Sequence, residues 1–160
     1  MFKLKGEGML SGKPVRQNSN RLQSGFSLIE LLFVVAIIGI VASIAVPGLQ
    51  RARQYASSGS AIQSLRTVTG AQYLYERTHK TYATMNTLFT EGLVHADLGD
   101  GYKSGYTFVI KVGPTSKTYT CTATPDSDSG TLDHFFVDET GVIRYNAGAP
   151  ADATSDPIPR

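Results

Sequence analysis

Gly25-Phe26-Ser27-Leu28-Ile29-Glu30-Leu31-Leu32-Phe33-Val34-Val35-Ala36-Ile37-Ile38-Gly39-Ile40-Val41 is an almost unbroken apolar run that carries one acid, Glu30. From Phe26 to Val46 the only polar side chains are Ser27, Glu30 and Ser43. As a helix rising ~1.5 Å per residue, residues 26–46 span roughly 31 Å, the hydrocarbon thickness of a bilayer. The run is long enough to cross a membrane and too apolar to lie on one.

Glu30 makes the run informative. A carboxylate inside an apolar helix costs about 2.5–3.5 kcal/mol even on lenient insertion scales, and such a residue usually has a partner. No Lys, Arg or His occurs between Phe26 and Gln50. A cut between Gly25 and Phe26 would, however, place a new α-ammonium four residues before Glu30. The rival reading is a plain signal-anchor helix with an incidental acid.

The stretch Gly25-Phe26-Ser27-Leu28-Ile29-Glu30 resembles the precursor motif of type IV pilins, and Gly39 and Pro47 fall where pilins often carry them. The resemblance implies that an inner-membrane prepilin peptidase cuts between Gly25 and Phe26 and methylates the new amine. The helices would then leave the lipid and bundle in a fibre, Glu30 pairing with the Phe26 amine of a neighbour. It also implies an inner-membrane assembly platform with its ATPase, and helix-breaking at Gly39, Pro47 and Gly48 that lets the fibre stretch.

Charge supports an anchored precursor. Residues 1–25 hold Lys3, Lys5, Lys13, Arg16 and Arg21 against Glu7, a balance of +4, whereas the remainder carries −2. By the positive-inside rule the leader stays cytoplasmic and the rest is exported. Residues 1–24 lack hydrophobic periodicity and read as disordered, with Met9 an alternative start. A second cut is conceivable after Ser43-Ile44-Ala45, a small-x-small site that would release a soluble domain beginning at Val46. The long basic region, Glu30 and the nearby Pro47 argue against it. The single cysteine, Cys121, leaves no intramolecular disulfide, although many pilins close their C-terminal region with one.

Beyond Pro47-Gly48 the pattern turns amphipathic, with Ala61, Ile62, Leu65, Val68, Gln72 and Tyr75 at helical spacing. One helix is predicted from about Phe26 to about Arg77, and Arg77, His79 and Lys80 suit the negative end of its dipole. Pro47 removes one N–H and predicts a kink. A short helix is predicted over about Thr84–Glu91, capped by Thr84 or Asn86 and stopped by Gly92. The phrase Thr81-Tyr82-Ala83 with Leu88, Gly92 and Leu93 is similar to the loop after the pilin helix. Strands read at Tyr106–Val112, Thr118–Ala123, His134–Asp138 and Val142–Tyr145, with turns at Gly113-Pro114 and Asp138–Gly141. The predicted fold is α+β: a long helix, transmembrane then amphipathic, packed on an antiparallel meander of about four strands. The segments are a leader over 1–25, the transmembrane and assembly helix over 26–46, its continuation over 47–79 and an exported head over 80–160. The tail from Ala147, with Pro150, Pro157 and Pro159, reads as loose.

No catalytic constellation converges. His79, His95 and His134 have no metal-ligand spacing and read as surface or helix-end residues. Cys121 reads as a small buried hydrophobe. Neither a Gly-x-Ser-x-Gly, a P-loop nor a dinucleotide fingerprint occurs. Asp126 and Asp128 alternate before Gly130 as in the start of a calcium loop, and major pseudopilins bind calcium near their strands. A third ligand and a distal Glu are missing, so an ordinary turn is expected and no cofactor is assigned. Tyr73, Tyr75, Tyr82, Tyr102 and Tyr106 are explained by core and subunit packing. The expected protein is a non-enzymatic pilin, a filament subunit for adhesion, motility or DNA uptake. The alternatives are a type II secretion pseudopilin and a minor tip pilin acting as a binding module; a DNA receptor would need a basic stripe that the acidic mature chain does not suggest.

Overall fold

The computed structural model describes residues 25–127 and 132–159. The leader over 1–24 with Met9, and the candidate calcium ligand Asp128, lie outside the described residues. The chain divides into two units, Met1–Val41 and Ala42–Arg160.

Helix α1 runs Leu28–His79. It begins two residues later than expected because Phe26 and Ser27 lead into it, the Ser27 carbonyl accepting the Leu31 N–H at 3.2 Å. The helix continues through Gly39, Pro47 and Gly48, so these residues do not end it in the single chain. The helix stops where Lys80 takes a left-handed φ of 58°.

In the second unit, α1 supplies Ala61, Leu65, Val68 and Ala71 to the core. The remaining elements are α2 Met85–Thr90, α3 Ala96–Gly99, β1 Tyr102–Lys103, β2 Tyr106–Val112, β3 Tyr119–Pro125, β4 Asp133–Asp138, β5 Arg144–Ala147 and β6 Asp156–Pro157. The sheet order is β1-β2-β3-β4-β5-β6, every neighbouring pair antiparallel. This is the predicted meander with six strands rather than four. The two extra strands are two residues each, too short for an alternating pattern to show in sequence.

Local chemistry explains the boundaries. Thr84 caps α2, its hydroxyl accepting the Thr87 N–H at 3.3 Å. Gly92, at φ 68°, ends it: Gly92 N–H reaches Phe89 O and Leu93 N–H reaches Leu88 O, a paired bonding that only a left-handed residue completes cheaply. β3 starts at Tyr119 rather than Thr118, because the Thr118 carbonyl accepts the Gly113 N–H that closes the turn. It runs on to Pro125, which pairs with Tyr106. β5 lies two residues later than predicted; Ile143 before it is buried and its carbonyl accepts the Ile158 N–H at 3.0 Å.

Two expectations are corrected. The tail is not loose: β6 pairs with β5, Ala151 is buried, and Arg144 donates to the Ser155 carbonyl at 3.0 Å. Pro157 is tolerated because β6 is an edge strand that need not donate a second ladder. His134 is not at the surface. β4 lies in the middle of the sheet with His134, Phe135, Phe136 and Val137 all buried, so both faces of this strand are covered.

Polar contacts bind helix to sheet. Tyr106, fully buried on β2, donates its hydroxyl to the Asp133 carbonyl at 2.9 Å and is met by the Ser58 hydroxyl at 3.1 Å. Gln72, fully buried, donates to the Ala83 carbonyl at 2.6 Å and accepts the Ala83 N–H at 2.9 Å. That carboxamide completes both backbone bonds of the segment after α1, which has no ladder partner of its own.

Replacing Gln72 with Leu keeps the volume and strands both Ala83 groups in the interior. We expect Gln72→Leu to lose about 2–4 kcal/mol in denaturant unfolding of the full chain in detergent, against a small effect for the exposed Gln63→Leu.

Candidate assembly interface

The N-terminal part of α1 and the residues leading into it present what a water-soluble protein would hide. Fifteen large apolar side chains from Phe26 to Leu49 are exposed, from 43% at Val34 to 86% at Leu28. They point in every direction around α1, so no single stripe could be covered by one packed neighbour. An 18-residue window of this helix has mean hydropathy 2.8 and none of it is buried by its own chain. Lipid, or other helices of the same kind, must cover it.

Glu30 lies in the first turn of α1, where the free N–H groups favour a negative charge. That does not neutralise it. Among the described residues the one ion pair is Asp97–Lys103, at 3.0 Å. Gly25 and Phe26 are exposed and precede the helix, so the peptide bond between them is presented in non-helical chain. An added Cβ at Gly25 meets no atom within 4 Å. The chain's own packing therefore does not require glycine at that position.

The other candidate residues are dispersed. His79 ends α1 and stacks on Tyr75 with ring centroids 4.1 Å apart. His95 is the residue before α3. His134 is buried with its Nδ1 unpaired. Asp126 is engaged: its carboxylate accepts the Thr107 hydroxyl at 2.8 Å, and its N–H bonds the Gly105 carbonyl. Among the described residues no three His, Cys, Asp or Glu side chains gather as metal ligands. Cys121 sits at 0% exposure on β3, and burial pushes its thiol up to about 12.

The grooves of the second unit were not visible in the sequence. The one at Gly70 is lined by Tyr73, Tyr82, Tyr119, Glu139 and Gly141. Its residues come from α1, the segment before α2, β3 and the β4–β5 turn, so no local spacing announces it. The one local sign is a glycine within a helical pattern, at Gly70.

The profile of the prokaryotic N-terminal methylation motif matches residues 20–46. The type II secretion system core protein G of Escherichia coli (strain K12) is 30% identical over 128 residues, covering 69% of this chain and 88% of that protein. The type IV major pilin protein PilE1 of Neisseria gonorrhoeae is 28% identical over 138 residues, covering 86% of this chain and 82% of the pilin. A type IV major pilin protein PilE of Neisseria gonorrhoeae is 58% identical over a shorter span of 31 residues.

A thiol held up to about 12 and shielded from solvent is a poor nucleophile. Iodoacetamide at pH 8 should label Cys121 in the native chain at roughly a tenth or less of the level after denaturation, read by intact mass.

Proposed function

The chain belongs to the type IV pilin and type II secretion pseudopilin family, and from that premise we propose the following course for it. An inner-membrane prepilin peptidase cuts between Gly25 and Phe26 and methylates the Phe26 amine. The assembly platform and its ATPase then draw the helix into a fibre at the cell surface. The protein works as a structural subunit and catalyses nothing. The observation that carries this reading is the all-round exposed apolar stretch from Leu28 to Val46 of α1, whose one acid, Glu30, has no counter-ion among the described residues.

The physical step is a change of solvent for α1. In lipid, Glu30 can reach toward the headgroup level from the first turn of the helix. In a fibre core it has only other helices around it, and the Phe26 ammonium of a neighbour is the cation that cleavage creates. Acid and amine are tolerable there together and costly apart, by about 3–5 kcal/mol when one is removed. The pair thereby selects one register between copies. Gly39, Pro47 and Gly48 have the chemistry to let turns open on assembly. The reading calls for no metal: Asp126 already serves Thr107.

A pseudopilin role is the second reading, supported by the 88% coverage of the Escherichia coli core protein G. Mass spectrometry of sheared surface filaments separates the two. A surface pilin dominates the sheared material with Phe26 as its first residue; a pseudopilin is processed to the same residue and is absent from it.

Glu30→Ala is expected to be processed normally and to lower filament yield by at least about tenfold, since the amine is left unpaired in the core. Wild-type yield from that variant would remove the electrostatic role. Gly25→Val is expected to leave the full-length precursor in the membrane, because the peptidase must approach this backbone closely.

A further inference from the structure

Gly70 sits inside α1, where glycine costs about 1 kcal/mol relative to alanine. An added Cβ there meets no atom within 4 Å, so packing within the chain does not explain it. What the missing side chain preserves is space. Gly70 floors a groove of about 390 Å³ whose walls are Tyr73, Tyr82, Tyr119 and the β4–β5 turn bearing Glu139. The turn closes directly on the helix: a Cβ at Gly141 would lie 3.6 Å from Thr69 Cγ2.

The chemistry of the walls selects for a planar cation. Tyr73 is exposed and Tyr82 half-buried, the latter backed by the buried Tyr119 in a tilted contact with centroids 4.8 Å apart. Tyrosine rings attract guanidinium over their faces, and a carboxylate accepts its N–H groups in pairs. Arg77 already lies over the Tyr73 ring at 5.9 Å, so this rim tolerates a guanidinium. The field is negative at the opposite wall: burial first, then the charges of Glu76 and Glu139, hold the Tyr82 phenol above its ordinary range. Neither glutamate has an ion pair among the described residues.

The chain carries the complementary group. Residues 47–79 hold Arg51, Arg53, Arg66 and Arg77 against Glu76 alone, whereas residues 80–160 are net −4. The amphipathic helix is basic and the rest of the head acidic, yet the only ion pair among the described residues is Asp97–Lys103. Arg77 lies over Tyr73 at the rim of this groove, Arg66 borders a second groove beside Val142 and Ile143, and Arg51 borders a third beside Asp133. Arg53 is exposed, with no polar contact among the described residues.

We infer that this groove is a subunit-locking site, in which the guanidinium of Arg53 from a second copy lies against the half-buried Tyr82 and pairs with the exposed Glu139. The inference rests on the filament reading. It adds to the helix bundle a lateral contact between heads and sets its geometry. Gly70 lies 17 residues beyond Arg53, roughly 26 Å along a helix. The two copies are therefore displaced by about that distance along the fibre axis.

The test uses full-length chains in assembled filaments, where copies are displaced along the axis. Copies bearing Arg53→Cys and copies bearing Glu139→Cys, differently tagged, are expressed together and treated with a bis-maleimide whose span matches an arginine–carboxylate pair, since a direct disulfide reaches only about 7 Å between Cα atoms. A mixed cross-linked dimer is expected, with at least tenfold less from Arg53→Cys or Glu139→Cys alone. Gly70→Met in the Glu139→Cys copy fills the groove and should cut the mixed dimer by at least tenfold, while raising rather than lowering the thermal midpoint of the chain. In uncrosslinked chains, Arg53→Glu and Glu139→Arg should each reduce sheared filaments, and the double swap should restore them. No mixed dimer, or a dimer indifferent to Gly70→Met, overturns the locking site. If filaments persist, the filament reading survives that failure. Absence of filaments from the wild-type chain would instead overturn the filament reading, and the locking site with it.

Discussion

A charge in an apolar helix has to be answered by another charge, and the architecture follows from how that can happen. Glu30 stands in the first turn of a segment whose other side chains from Phe26 to Val46 are almost all hydrocarbon. Lipid can accommodate one acid near a helix end. A core of packed helices accommodates it only beside a cation, and the segment contains none. In the proposed course proteolysis would be part of the electrostatics: removing the basic leader would leave an amine able to set register between copies.

The head answers a different requirement. It must fold without a disulfide, since Cys121 is the sole cysteine and is buried as a reduced side chain. Cohesion comes from a six-stranded meander whose aromatic face covers the amphipathic part of α1. Two polar clasps reinforce it, Tyr106 to Ser58 and Asp133, and Gln72 to both backbone groups of Ala83. Each clasp joins segments distant in sequence. Buried hydrogen bonds of this kind contribute modestly when made and cost more when broken, so they hold one arrangement against near alternatives.

Charge in the second unit is segregated rather than mixed. Arginines line the helix and carboxylates populate the strands and turns. A chain that resolved this internally would show helix-to-sheet ion pairs; among the described residues it shows none. Unpaired complementary surfaces on one molecule are what a homopolymer needs, because each copy then offers both halves of every contact.

The sequence alone determined the long apolar helix, the N-terminal methylation motif, the place of Glu30 in the first turn, the amphipathic continuation and the hairpin of β2 and β3, with Tyr106–Val112 matched residue for residue. These depend on local properties: length of an apolar run, a 3.6-residue period and a two-residue period. Tertiary structure decided the rest. β1 and β6 are too short to carry a period and exist because a neighbouring strand offers bonds. His134 is buried because β4 became central, which no feature of its own neighbours specifies. The tail from Ala147 has the composition of a loose end and is held by Ile143 and Arg144. The Gly70 groove draws its walls from segments separated by up to about seventy residues. Spacing along the chain cannot express contacts that arise only when distant strands and turns are folded onto one helix.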